Sequence, residues 1–230
     1  MKNFSISFLI ITSFFAISLL LISLYWGYHQ SFVILNRIRV PQLDNLAVLL
    51  TEFGNGFYVS IFALVLACGS SKYWKVAFEI IVCVLVTALI VQICKQVLFS
   101  DWYRPAKLLR QQSIYILLNP VPEHNSFPSG HSVTVMSAST VLSRIKKNFI
   151  FQFSLAILAC LVAYTRIYVG AHFPADVAVG SLLGIVVSTF VIYLLRNFDI
   201  HLLEKIKHFK YLLYLITLTC IIIAVIQNWD

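Results

Sequence analysis

The sequence predicts an all-α protein, a polytopic bundle of transmembrane helices. Of its 230 residues, 60% are hydrophobic and only 11% are charged. Soluble domains run at roughly 45–50% apolar and about 25% charged. The apolar residues gather into long runs, and about 20 such residues in a helix span ~30 Å of hydrocarbon. Backbone groups in lipid must be satisfied internally, so these runs read as helices despite their β-branched residues. An ordinary soluble enzyme and a disordered tail are excluded. The net charge of +8 does not point to nucleic acid, because many basic residues sit at the ends of apolar runs, where membrane topology places them.

Seven runs qualify: 4–27, 54–70, 75–98, 130–145, 149–167, 175–196 and 211–227. The first follows Lys2 and exceeds the ~7–15 residues of a signal-peptide core. Tyr25-Trp26-Gly27-Tyr28 offers no small-residue cleavage site, so it reads as a retained helix with aromatics at the interface. Between the first two runs, residues 28–53 read either as an interfacial amphipathic stretch or as a packed loop. The second and third runs meet at Lys72 and Lys75. The fourth opens at Pro128-Ser129-Gly130-His131 and the sixth at Pro174, both suited to helix starts. The last run, at 211–227, is short for a crossing. Cys68, Cys83, Cys94, Cys160 and Cys220 all lie in apolar runs without metal-ligand spacing. No repeat or linker divides the chain, so residues 1–230 read as one membrane-embedded domain.

With the N-terminus cytoplasmic, the inner ends carry Lys2, Lys72, Lys75, Arg144, Lys146, Lys147, Arg196, Lys205, Lys207 and Lys210. The outer ends carry Arg37, Arg39, Lys95, Arg104, Lys107, Arg110 and Arg166, a bias of ten to seven. On this topology three polar clusters share the outer face. They are Lys95 with Arg104-Pro105; Ser126 to His131; and Thr165-Arg166 with Gly170 to Asp176.

Ionisable residues near a membrane are functional candidates. Lys95, Arg104 and Arg166 are three cations without an obvious carboxylate partner. Arginine offers a planar fork to phosphate oxygens and lysine a point charge. Ser129, Gly130 and His131 would present free N–H groups at a helix N-terminus, where anions bind. Asp176, four residues after His172, could fix that imidazole's tautomer and leave the other nitrogen as a free lone pair. His131 is then available as general acid. The expected catalytic residues are therefore His172, His131 and Asp176. Lys95, Arg104, Ser129, Gly130 and Arg166 are the expected phosphate binders, with no metal and no cofactor.

At these residues the sequence resembles the type-2 phosphatidic acid phosphatase superfamily. Pro128-Ser129-Gly130-His131 is complete, and Arg166, His172 and Asp176 stand at the family spacing. Eight residues separate Lys95 from Arg104, a longer gap than the family usually has, and Thr165 stands where a serine is usual. The resemblance implies a six-helix phosphatase core, here 54–196, with 211–227 as an extra transmembrane helix. It also implies an extracytoplasmic site and a phosphohistidine on His172. The expected activity is hydrolysis of a lipid phosphomonoester or pyrophosphate. Undecaprenyl diphosphate or a lipid A phosphate is favoured, with phosphatidylglycerophosphate and phosphatidic acid as further candidates. The expected location is the plasma membrane, as a bacterial inner-membrane protein. A lipid-to-lipid phosphotransferase using the same site, and a non-catalytic transporter or scaffold, are the alternatives.

Among the remaining residues, Glu79 is expected to reach toward Lys75, and the apolar patch 114–118 is a candidate for contact with lipid chains. Lys107 and Arg110 are candidates for headgroup contact, and His201 and His208 belong to a basic segment that could touch anionic lipid.

Overall fold

A computed structural model of the chain describes residues 5–69 and 73–196, with Leu215 and Leu218 as isolated helical positions. Lys2, the basic segment holding His201 and His208, and the rest of the expected helix 211–227 lie outside the described residues. Every regular element among the described residues is helical.

Helix α1 (Ile6–Trp26) breaks at Gly27, whose φ of 82° suits glycine, and α2 (Tyr28–Asn36) starts beyond it. A 3-10 turn (Pro41–Leu43), α3 (Asp44–Thr51) and a second 3-10 turn (Glu52–Gly54) lead into α4 (Gly56–Gly69). Next, α5 (Trp74–Ile93) runs on as a π-helical turn, Cys94–Leu98. The single-turn α6 (Pro105–Leu108) precedes a long connection to α7 (Gly130–Leu142), followed by α8 (Phe149–Tyr168) and α9 (Pro174–Leu195).

In α1, Phe8, Thr12, Ala16, Leu19 and Ser23 are buried at helical spacing and face α8 and α9. The opposite stripe of Ile10, Phe14, Ile17, Leu21 and Leu24 is exposed and just as apolar. A helix apolar on both faces belongs in lipid. Among the described residues, four helices are long and apolar enough to cross a membrane: α1, α5 with its π-turn, α8 and α9. The segments Pro41–Gly54 and Gly56–Ala67, bent by 64°, make a fifth if taken as one broken span.

The fourth expected run behaves differently. Helix α7 has 13 residues, a length of about 20 Å, and is too short to cross alone. It lies at the centre of the bundle, against α4, α5, α8 and α9. Its buried side chains include Ser132, Ser137, Ser139 and Thr140. The Ser137 hydroxyl donates to Thr87 of α5 at 3.2 Å, and that of Thr140 donates to Met136 O at 2.7 Å. Small and hydroxylated residues allow close helix approach where lipid supplies no hydrophobic drive between helices.

The closest approach is to α9, through Gly180 and Gly184. A Cβ at Gly180 would stand 2.7 Å from Ser129 O, and one at Gly184 would stand 2.6 Å from Val133 O. Helix α7, whose N-terminus carries the second motif, is thereby clamped to the helix that carries Asp176.

One expectation fails here. Glu79 is buried and pairs with Arg144 at 2.7 Å instead of Lys75. A carboxylate at that depth needs a cation brought to it by packing, and the packing of α7 on α5 delivers Arg144. The 114–118 patch lies against the protein. Leu117 N–H donates to Val169 O at 3.0 Å, and Leu117 and Leu118 pack on Tyr168, Val169 and Ala171.

Gly184→Ala overpacks a backbone contact and should cost about 1–3 kcal/mol, read as a lower Tm in detergent. Gly56→Ala, with nothing within 4 Å of the new methyl, should not lower the Tm. Equal Tm values for the two variants would contradict the tight α7–α9 contact.

Candidate active site

All three sequence clusters meet at one end of the bundle. The third is built where α8 turns into α9. Gly170, at φ 83°, makes the turn, and a Cβ there would lie 2.5 Å from Tyr115 O. The N–H groups of Ala171 and His172 donate back to Arg166 O at 2.9 and 3.1 Å. Pro174 opens α9, and Asp176 Oδ2 accepts from Phe173 N–H at 3.1 Å. This folding puts His172 and Asp176 side by side, almost completely buried.

Asn36 of α2 secures the same turn. Its amide nitrogen donates to Tyr115 O, Ile167 O and Tyr168 O at 3.1, 3.1 and 3.2 Å. Its carbonyl accepts from Tyr115 N–H at 2.7 Å. Carbonyls left open at the end of α8 thus find a buried side chain.

The second cluster opens α7. Ser129 is the N-cap; its hydroxyl accepts from Ser132 N–H at 3.4 Å and from the Ser132 hydroxyl at 2.9 Å. Its own N–H donates to Asp176 O at 3.1 Å. The expectation of a free Ser129 N–H is therefore corrected, because the cap residue is tied to α9. Pro128 lies before the cap, not in the first turn. The N–H groups of Gly130 and His131 find no acceptor among the described residues.

The first cluster spans the long Lys95–Arg104 gap by compaction. Lys95 sits in the π-turn, and its Nζ is 4.0 Å from where a Gly130 Cβ would stand. Arg104 caps α6, and its Nε donates to His124 O at 2.7 Å. Its Nη1 lies 3.3 Å from both Ala171 O and His172 Nε2.

That last contact settles the tautomer. A guanidinium can only donate, so Nε2 accepts and carries the lone pair. The ring proton belongs on Nδ1, which is 3.4 Å from Asp176 Oδ2 and not aligned for a hydrogen bond. Asp176 takes its hydrogen bonds from Tyr28, Ser126 and Phe173. Arg166 is buried and gives one N–H to Thr51 at 2.8 Å, while its Nε has no partner among the described residues. A buried donor without a partner is rare enough to call for a ligand.

The arrangement is a cup. His172, Asp176, Arg166 and Ser129 form the buried floor, with Lys95, Arg104, Gly130 and His131 half-exposed around it. A cavity of about 210 Å³ opens beside Lys95, Gly130 and His131, walled by Gln92, Asn55 and Thr134. Burial holds His172 well below the ordinary imidazole range, and Arg104, Arg166, Lys95 and His131 push it further the same way. Its imidazole is kept neutral by groups that would welcome an anion. Burial lowers Arg104 to about 10, so it stays a cation at neutral pH.

Residues 76–200 match the PAP2 superfamily. The chain belongs to the PAP2 superfamily. It is an integral membrane enzyme of the phosphatase class. The chain is 28% identical over 156 residues to an undecaprenyl-diphosphatase of Sulfolobus acidocaldarius, covering 67% of this chain and 72% of that protein. It is 27% identical to a lipid A 4'-phosphatase of Porphyromonas gingivalis, covering 70% and 69%. The crystal structure of Aquifex aeolicus LpxE superposes with a TM-score of 0.64 at 30% identity, covering 72% of this chain and 94% of that one.

Three residues of this PAP2 site stand outside the motifs: Tyr28, Asn36 and Thr51. None has a local signal in the sequence. Tyr28 reads as an interfacial aromatic and Thr51 as an ordinary helix-end residue. Their partners lie 79 to 148 residues away in the chain. Lys107 and Arg110, candidates for headgroup contact, are occupied by the Tyr103 ring and by Glu123.

The unliganded protein, labelled at histidine and titrated by NMR, should show the His172 ring protonating well below pH 6.5. A midpoint at or above 6.5 would contradict the cationic surroundings described.

Proposed function

We propose that this chain is a metal-independent lipid phosphatase that works through a phosphohistidine on His172. The observation carrying this reading is the contact between Arg104 and His172 Nε2. A cation caps the lone pair of a neutral, buried imidazole. An arriving phosphate offers the guanidinium better acceptors, draws it off and uncovers the nucleophile in one movement.

In the first step the Nε2 lone pair attacks phosphorus and the bond to the leaving oxygen breaks. His131 donates the proton that oxygen needs. Lys95, Arg104, Arg166, the Gly130 N–H and the Ser129 hydroxyl hold the remaining oxygens, where charge accumulates. Asp176 faces the Nδ1 proton and stabilises the cationic ring formed when Nε2 bonds to phosphorus. In the second step water attacks phosphorus, His131 takes its proton and the P–N bond breaks. Inorganic phosphate leaves and His172 is restored.

The substrate is a lipid phosphate. The 210 Å³ cavity is smaller than the roughly 300–1,000 Å³ of sites that enclose a whole small molecule. It suits a headgroup phosphate whose hydrocarbon stays in the bilayer. Undecaprenyl diphosphate and lipid A phosphates are the favoured candidates, supported by the two relatives bearing those names. The basic-residue bias supports a cytoplasmic N-terminus and an extracytoplasmic site in a bacterial inner membrane. Residues 1–230 form one membrane-embedded domain, with the motifs within 54–196 and a further crossing at 211–227.

Purified protein in detergent should release inorganic phosphate from undecaprenyl diphosphate or lipid A in the presence of EDTA. His172→Ala should reduce turnover to background, and His131→Ala should nearly do so. Turnover abolished by EDTA and restored by Mg²⁺ would contradict the metal-free reading, and an active His172→Ala would remove the nucleophile. Labelled phosphate appearing on a second lipid would reassign the chain as a transferase.

A further inference from the structure

The Asp176 carboxylate is held from two sides, and one of them lies outside every motif and outside the family match at 76–200. Oδ2 accepts from the Ser126 hydroxyl at 2.5 Å and from Phe173 N–H at 3.1 Å, and it faces His172 Nδ1 at 3.4 Å. Oδ1 accepts from the Tyr28 hydroxyl at 2.5 Å, its one donor among the described residues. Tyr28 opens α2, just past the break at Gly27. Its ring is packed 4.3 Å from that of Phe173 and 5.6 Å from that of Trp102. Burial and the neighbouring carboxylate keep the phenol protonated, so it remains a donor.

A carboxylate turns easily about its terminal bond. An Asp176 held only through Oδ2 could rotate and offer either oxygen to either partner. With Oδ1 tied to Tyr28, rotation is stopped and Oδ2 stays on the imidazole side. The charged and titratable groups around this carboxylate are His172 from the turn before α9, Tyr28 from α2 and, electrostatically, Arg104 from the loop after α5 and Lys95 from the π-turn.

We propose that Tyr28, with Ser126 as its counterpart, is a positioning residue of this phosphatase, acting through Asp176 to orient His172. The proposal rests on the reading of His172 as the nucleophile and Asp176 as its orienting carboxylate. The N-terminal helix pair then has a catalytic purpose: it supplies one jaw of the clamp that aims the nucleophile. Since neither hydroxyl touches substrate in this scheme, their loss should appear in kcat and leave KM alone.

The test is a double-mutant cycle. Initial rates are measured with undecaprenyl diphosphate and with lipid A in detergent micelles, using the faster of the two. Tyr28→Phe should lower kcat by roughly tenfold to a hundredfold, the scale of one hydrogen bond to a charged group, with KM within about twofold. In an Asp176→Asn background the same substitution should change kcat by less than about twofold, because the group it acts on is already gone. Ser126→Ala, which leaves the packing of α2 intact, should show the same dependence on Asp176 even if Tyr28→Phe lowers the Tm. Losses that multiply in the double variants would overturn the proposal, as would wild-type kcat in both hydroxyl variants beside a crippled Asp176→Asn. Wild-type kcat in Asp176→Asn would instead overturn the underlying reading of Asp176.

Discussion

Three cations gathered over a neutral, buried imidazole are the constraint on which the rest of this structure depends. Lys95, Arg104 and Arg166 come from three different parts of the chain and all act on His172. Among the described residues, Asp176 is the one carboxylate in contact with that ring, and it is committed to hydroxyl and backbone donors. Like charges brought together out of water are unfavourable unless something negative completes the set. The fold must therefore hold these groups in place against their own repulsion until an anion arrives. A phosphoryl group, with charge spread over several oxygens, is the complement such a site is shaped for.

The fold supplies that restraint through backbone contact more than through ion pairing. The glycines of α9 let α7 approach until its N-cap N–H reaches the carbonyl of Asp176, so the second and third motifs move as one body. Asn36 ties together the turn that presents His172, and Thr51 holds one arm of Arg166. At the far end of the bundle, the buried Glu79–Arg144 pair links α5 to the end of α7. The groups proposed to meet the phosphate are thus oriented beforehand, which is where electrostatic catalysis gains most. Buried hydroxyls line the seams of α7 within an otherwise apolar core, and apolar side chains also cover the outside, the arrangement expected when lipid is the solvent.

Much of this was legible in the sequence, for identifiable reasons. Helix positions followed from run length, and helix starts from Pro128, two residues early, and Pro174, because prolines act locally. The three clusters could be placed on one face because the number of helices between them decides the face. The Lys95–Arg104 gap exceeded the usual spacing, yet Lys95, in the π-turn, still brings its Nζ within 4.0 Å of where a Gly130 Cβ would stand. Tyr28, Asn36 and Thr51 were not legible, because their partners are remote and no periodicity marks them. The Glu79 partner was misread for the same reason: sequence shows the neighbour one turn away, and packing chose Arg144.

The account turns on whether the phosphoryl group becomes bonded to His172. The direct measurement is rapid acid-free quenching of the enzyme during turnover of lipid substrate labelled in the transferred phosphate, followed by peptide mapping. The account predicts label bound covalently to the peptide containing His172 during turnover, stable to base and lost in acid. Turnover with no protein-bound label, or label mapped to another residue, would contradict it.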